Sequence, residues 1–326
     1  MPPQRFNPLF QPFKLVNCYH IARKYEKYLE IGELLVKLHP EINQVSDYIQ
    51  FSKLRLSILV VFSAAISYLT VATQVDAKVL CGLIFGGLLV TASSNGFNQV
   101  MERETDKMMA RTCNRPMPTG RMTPKEGYML AAAMGFSGIT ILFLFTNTLS
   151  ALMGVFAMVL YTLVYTPLKL KTPFAVFVGA FPGAIPPLLG CIAATPGFGS
   201  ITHQGLILFF IQFIWQFPHF WAIAWVLDDD YKKAGFKMLP SAGGRDKASA
   251  FQILIYTLFL LPISLMPLVF SMCGHVAAII IACCGLLFIY QAQKVFNQLT
   301  VKYAQNLMFG SFIYLPIVQL ALMFGK

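Results

Sequence analysis

Charge is what this sequence has least of. Only 12% of its 326 residues are Asp, Glu, Lys or Arg, about half the share carried by a soluble domain. A water-soluble fold of this length would have to cover its surface with polar groups that the chain does not possess; a bilayer removes that demand. Acids are the scarcer sign. Beyond residue 50 they are Asp76, Glu102, Glu104, Asp106, Glu126, Asp228, Asp229, Asp230 and Asp246. The 7 cysteines include no C-x-x-C pair and no zinc spacing, which excludes a zinc site or a dithiol centre built on such a pair. Most of them lie in or beside apolar runs, where cysteine serves as a small hydrophobe. The first 50 residues hold no apolar signal core, so no cleaved secretory signal is expected.

Apolar residues fill the rest: 56% of the chain is hydrophobic, with 29 Phe. Runs near the 20 residues that a spanning helix needs lie at about 54–73, 79–99, 127–146, 149–166, 174–194, 205–227, 250–271, 275–291 and 307–324. The fold expected is all-α, a polytopic membrane helix bundle of about nine transmembrane helices, with the eighth the shortest. The net charge is +11, yet no nucleic-acid partner is expected, because the bases cluster between apolar runs. Alternating the runs across the membrane puts every Lys and Arg on one side except Lys78 and Lys326. The positive-inside bias then predicts a cytoplasmic N-terminus, cytoplasmic acidic loops and an external C-terminus.

Two regions are predicted. Residues 1–50 form an N-terminal cytoplasmic arm. Within it Ile21, Tyr25, Tyr28 and Leu35 share one face of an interfacial amphipathic helix over 21–38. Residues 51–326 form the membrane domain. The arm's start is basic but lacks Ser, a poor mitochondrial presequence. A bacterial inner membrane is therefore expected ahead of a mitochondrial one.

The acids beyond the arm gather in two loops. Asn98, Glu102 and Asp106 are spaced i, i+4, i+8, which stacks them on one helical face while Glu104 points elsewhere. Twenty residues at 1.5 Å each carry the chain from Lys78 across about 30 Å to Asn98, so this face sits at the membrane rim. Oxygen donors of this kind suit Mg²⁺, which is satisfied by a few carboxylates plus substrate phosphate oxygens and water. Asp228, Asp229 and Asp230 follow the sixth run on the same predicted face. Three adjacent like charges repel unless solvated or neutralised by cations. Arg111 and Arg115 follow the first cluster, and Lys232, Lys233 and Lys237 the second. Carboxylates for metal beside bases for phosphate oxygens make a diphosphate site.

The stretch Asn98-x3-Glu102-x3-Asp106, continuing to Arg111-Thr112-Cys-Asn-Arg115-Pro116, resembles the first acidic motif of the UbiA-type intramembrane prenyltransferases. Further likeness lies in Tyr165-Thr166-Pro167-Leu168-Lys169, in Pro182-Gly183-Ala184-Ile-Pro186-Pro187, in Trp215-Gln216-Phe217-Pro218-His219-Phe220-Trp221, and in Asp230-Tyr231-x2-Ala234-Gly235-x2-Met238-Leu239-Pro240. These motifs are most similar to the haem-farnesylating branch of that family. The sequence departs from it in carrying Glu102 where many relatives have Asp, and Lys53-Leu54-Arg55 where Pro is common in the middle.

The resemblance implies transfer of a farnesyl group from farnesyl diphosphate to a vinyl group of haem b, with addition of water. It implies Mg²⁺ held by Asn98, Glu102 and Asp106, with Asp229 and Asp230 serving a second ion. Arg111, Arg115, Lys169 and Lys233 would neutralise diphosphate, and Tyr161 and Tyr165 would face the allylic cation. His219, an ionisable residue inside a span, would serve haem b as a ligand or in positioning water. Partners implied are haem b, farnesyl diphosphate, the lipid bilayer, and haem A synthase or oxidase assembly proteins. Two other readings compete. A UbiA-type enzyme acting on an aromatic or quinone precursor would share the diphosphate site. A membrane transporter would suit the broken helices but would show matching inverted halves, which the sequence does not.

Overall fold

The computed structural model describes residues 40–325. The expected amphipathic helix over 21–38 lies outside the described residues. The chain divides into two compact units, Met1–Tyr48 and Ile49–Lys326. The second unit is helical among its described residues, and it contains 9 helices long and apolar enough to cross a membrane. They are α1 (Leu54–Val71), α2 (Ala77–Met101), α3 (Pro124–Phe145), α4 (Thr148–Leu168), α5 (Ala175–Ala193), α6 (His203–Val226), α7 (Lys247–Val269), α8 (His275–Gln298) and α9 (Val301–Phe324).

Local chemistry sets many of the starts. Asp76, Thr123, Asn147, Thr202 and Asp246 each cap a helix through a side-chain oxygen that accepts a backbone N–H two or three residues on, satisfying donors that the helix itself cannot. The eighth span is not short. It runs on through Gln291, Lys294 and Asn297 to Gln298, and α9 begins at Val301. Lys294 and Lys302 therefore lie on helix ends rather than in a loop. Hydropathy stops where lipid stops, but a helix can continue into water on polar residues.

Neighbours along the chain pack side by side from α1 to α9, and α9 closes back on α1. Helices α5 and α6 are the most enclosed spans. Helix α5 carries Pro182, Pro186 and Pro187 in its interior. Pro187 removes the N–H that would bind the Gly183 carbonyl. Gln212 of α6 supplies the missing donor, its Nε2 lying 2.7 Å from Gly183 O. The absence of a side chain at Gly183 lets α6 approach this closely, since a Cβ there would collide with the carboxamide of Gln216, one turn from Gln212. Gln212 Oε1 in turn accepts from Ser63 of α1 at 2.6 Å and from Gln319 of α9 at 3.1 Å. Deep in an apolar bundle such groups must satisfy one another, and here they tie α1, α5, α6 and α9 together.

Candidate active site

The first acidic motif is buried at the end of α2. Asn98, Glu102 and Asp106 are 2%, 8% and 1% exposed. A solvated helix end is therefore excluded. The motif does not ride on one unbroken helix: α2 stops at Met101, Glu102 leaves helical geometry, and a short helix resumes over Arg103–Lys107. The i→i−4 bonds still connect Glu102 N to Asn98 O and Asp106 N to Glu102 O, so the three side chains keep their stacking. Glu104 lies outside the group, exposed and paired with Lys107 at 2.8 Å.

The orientation of Asn98 follows from donor counting. The Thr166 hydroxyl donates to Tyr161 O at 2.9 Å, so its oxygen accepts from Asn98 Nδ2 at 3.2 Å. Asn98 Oδ1 is thereby presented on the other side, where Lys53 Nζ donates to it at 3.3 Å. Thr166 can reach this position because α4 widens into a π-helix over Leu160–Tyr165. Pro167 explains the widening, since its ring would strike the carbonyl one α-helical turn earlier. Such bulges concentrate at functional sites. This one faces Tyr161 and Tyr165, rings 5.2 Å apart, toward the group, where the Tyr165 ring lies 4.9 Å from Lys169 Nζ.

Bases crowd the two carboxylates. Arg115 donates to Asp106 Oδ2 at 2.8 Å, and Lys169 pairs with Glu102. Lys53 lies half-buried beside both, and its desolvation, then Arg115 and Lys169, hold its pKa down to about 7. Lys53 adopts a left-handed backbone, φ 46° and ψ 50°, a conformation that costs a side-chain-bearing residue about 1–2 kcal/mol. That strained joint before α1 turns its ammonium inward. The sequence marked Lys53 only as a departure from a family pattern; the signal available was a base directly before a span. Two full cations, Arg115 and Lys169, and a Lys53 amine that is partly protonated near neutral pH thus face two carboxylates, an arrangement slightly short of negative charge. Glu102 Oε1 is sealed from solvent, and its partner there is the Lys169 ammonium. Hard oxygen donors in such a cluster fit Mg²⁺ and phosphate oxygens.

The second acidic motif forms a short helix, Asp228–Lys233. Its three aspartates are not equivalent. Asp228 is buried and meets Lys232 at 2.7 Å and Arg245 at 3.8 Å. Asp229 is mostly exposed, and both its oxygens take the Arg245 guanidinium, at 3.0 and 3.2 Å. Arg245 also donates to Trp225 O at 2.7 Å and Val226 O at 3.3 Å, locking the loop to the end of α6. Asp230 meets exposed Lys233 at 3.3 Å. The described residues contain no group of three or more His, Cys, Asp or Glu side chains placed to share one metal ion, so the two motifs do not merge into one carboxylate cage.

Tyr231 joins the motifs. It is half-buried, and its desolvation raises its pKa; the nearby Arg111 side chain opposes that shift, and Glu102 and Arg115 lie close enough to act on it. Lys237 N also donates to Lys169 O at 2.9 Å, and Phe236 lies 5.4 Å from Lys169 Nζ. Tyr231 and Arg245 were not singled out from the sequence, because their roles depend on loops meeting in space.

His219 sits about two turns into the bundle from the end of α6, 7% exposed. Its ring stacks on Trp215, centroids 4.3 Å apart, and Nδ1 lies 2.7 Å from Ser311 Oγ on α9. His203 and His275 are exposed at the starts of α6 and α8, as expected.

A membrane bundle with buried carboxylates, ringed by bases where its helices end, defines an intramembrane prenyltransferase. The chain belongs to the UbiA prenyltransferase family, whose model matches residues 58–315. A protoheme IX farnesyltransferase of Cytophaga hutchinsonii is 45% identical over 285 residues, covering 87% of this chain and 99% of that protein. Among solved structures, a digeranylgeranylglyceryl phosphate synthase superposes with TM-score 0.72 at 21% identity, covering 87% of this chain and 98% of that one. A UbiA homologue of Archaeoglobus fulgidus bound to GPP and Mg²⁺ gives TM-score 0.62 at 14% identity, covering 85% and 99%. At such identities the structural likeness speaks for the fold.

Proposed function

We propose that this protein transfers a farnesyl group from farnesyl diphosphate to a vinyl group of haem b, with addition of water. The observation that carries the diphosphate half is the buried set of Asn98, Glu102 and Asp106 ringed by Lys53, Arg115 and Lys169. The acceptor half rests on the 45% identity over 285 residues to the Cytophaga hutchinsonii protoheme IX farnesyltransferase.

Asn98, Glu102 and Asp106 would hold Mg²⁺ on the diphosphate, as hard donors suited to it; the Archaeoglobus fulgidus homologue, bound to GPP and Mg²⁺, supports this reading. The ion's contribution would be to offset charge that grows on the leaving group. Of the three aspartates, Asp230 is best suited to a second ion or its waters, since Arg245 occupies Asp228 and Asp229. Lys169, Arg115, Arg111 and Lys53 take up the diphosphate charge, where fixed cations in a dry site contribute most; exposed Lys233 assists from the rim. In the reaction the C1–O bond of farnesyl diphosphate breaks and the electron pair leaves with diphosphate. The outer vinyl carbon bonds to C1, and water captures the cation on the inner vinyl carbon and loses a proton. Tyr161 and Tyr165 offer aromatic faces to the allylic cation. His219 serves the haem.

The charge bias of the loops supports a site on the cytoplasmic side, and the bacterial relatives support an inner membrane. The reaction product suits haem A synthase or oxidase assembly proteins as partners. An acceptor competition tests the reading. Purified protein given farnesyl diphosphate, Mg²⁺, haem b and an aromatic acid should prenylate haem alone. Prenylation of the aromatic acid alone would overturn the haem assignment.

A further inference from the structure

His219 lies outside the acidic group, yet its surroundings are more specific than packing requires. Its ring is held on three sides: stacked on Trp215, edge-on to Phe312 at 5.1 Å, and edge-on to Phe220 at 5.2 Å. The plane of Trp215 is itself fixed, because its Nε1–H donates to Ser311 O at 3.0 Å. The remaining freedom of an imidazole is its tautomer, and the structure decides that too.

The Ser311 hydroxyl has one proton. It lies 2.6 Å from Met308 O, a carbonyl that can only accept, and 2.7 Å from His219 Nδ1. Both contacts are satisfied in one way: the hydroxyl donates to Met308 O, and Nδ1–H donates to the hydroxyl oxygen. If Nδ1 were the acceptor, two oxygens would face each other at 2.6 Å with no proton between them. The neutral ring therefore carries its proton on Nδ1, and Nε2 keeps a free lone pair. Among the described residues no hydrogen bond reaches Nε2, and it is not one of the atoms sealed from solvent without a partner.

A buried histidine that donates one ring N–H to a fixed acceptor and turns the other nitrogen outward is the arrangement that supports metal-ligating histidines. The exposed faces nearby are apolar: Phe312 and Phe309 of α9 lie on the outside of the bundle, so a planar hydrophobic molecule can arrive there from the lipid. We propose that Ser311 is a positioning residue for haem b, locking His219 in the Nδ1–H form so that Nε2 ligates the haem iron. This rests on the haem reading above and goes beyond it, in naming the nitrogen and the residue that selects it.

The test uses the purified full chain. Nitrogen NMR of histidine-labelled, haem-free protein should show His219 protonated at Nδ1 in the wild type and in Ser311→Thr, but not in Ser311→Ala. Titration with haem b should give an axial-histidine absorption and EPR signature that His219→Ala abolishes. Ser311→Ala should weaken haem binding roughly 10–100-fold and alter that signature, and Ser311→Thr should restore both. Thermal melting of each variant separates these effects from unfolding, and the proton on Nε2 in wild-type protein would overturn the proposal without any variant. Wild-type affinity and spectrum in both His219→Ala and Ser311→Ala would overturn it as well. A wild type that binds haem through His219 but never farnesylates it would instead overturn the activity reading and leave the ligation standing.

Discussion

At the scale of single residues, the two acidic motifs differ in what their side chains are free to do. Glu102 and Asp106 are buried against Lys169 and Arg115, so each carboxylate is one half of a buried ion pair rather than a surface decoration. Replacing Asp106 by Asn or Glu102 by Gln should lower turnover at least 100-fold, the scale seen when a group that stabilises transition-state charge is lost. Near wild-type turnover in both variants would sink the metal assignment. In the second motif the expected order is unequal: Asp230→Asn should cost far more turnover than Asp229→Asn, because Asp229 is spent on Arg245. Equal losses, measured under saturating substrates, would contradict that ranking. The spacing of Asn98, Glu102 and Asp106 was legible in the sequence because i, i+4 geometry is local. The division of labour among Asp228, Asp229 and Asp230 was not, since it is set by Arg245 from a loop 15 or more residues away. Lys53 was missed for a related reason. Its role depends on a left-handed backbone that no side-chain pattern announces.

At the scale of helices, proline positions decide more than apolar length does. Pro167 accompanies the π-helix that delivers Tyr161, Tyr165 and Thr166 to the site. Pro167→Ala should let α4 regain regular winding and rotate these residues out of register. Turnover should fall roughly 10-fold or more while the melting temperature holds or rises; unchanged turnover would show that the bulge is incidental. In α5 the proline-freed carbonyl of Gly183 is met by Gln212. Gly183→Ala should push against Gln216 and destabilise the bundle by about 1–3 kcal/mol, read from thermal or denaturant unfolding in detergent. With three interior prolines, α5 must be shielded or line a cavity. It is shielded, and the donors that shield it come from α6, a pairing of distant residues that the sequence leaves open. The eighth span was read too short because the polar end of α8 looks like loop to a hydropathy scan while remaining helical.

At the scale of the whole molecule, the end of the bundle that carries the site also gathers its charge. The ends of α2, α4 and α6 and the start of α1 meet there, and Arg111, Tyr231, Lys169 and Lys237 link the connecting loops. A site divided among these loops tolerates no reversal of any span between them, so its assembly supports the alternation on which the charge bias was counted. Single cysteines at Lys78 and at Lys232 in a cysteine-free background should be labelled from opposite sides of sealed vesicles. Labelling from the same side would contradict the topology. The span count was legible from composition, because a bilayer leaves a helical chain few choices. The closure of α9 onto α1 was not, because lipid-facing and helix-facing apolar residues look alike in sequence.

The account stands or falls on one product. Purified wild-type protein, incubated with haem b, farnesyl diphosphate and Mg²⁺ and examined by mass spectrometry, should convert haem b to a species heavier by one farnesyl group and one hydroxyl group, with diphosphate released. Chelation of Mg²⁺ and the Asp106→Asn substitution should each suppress it. A wild-type protein that is folded, binds both substrates and yields no farnesylated haem would contradict the account.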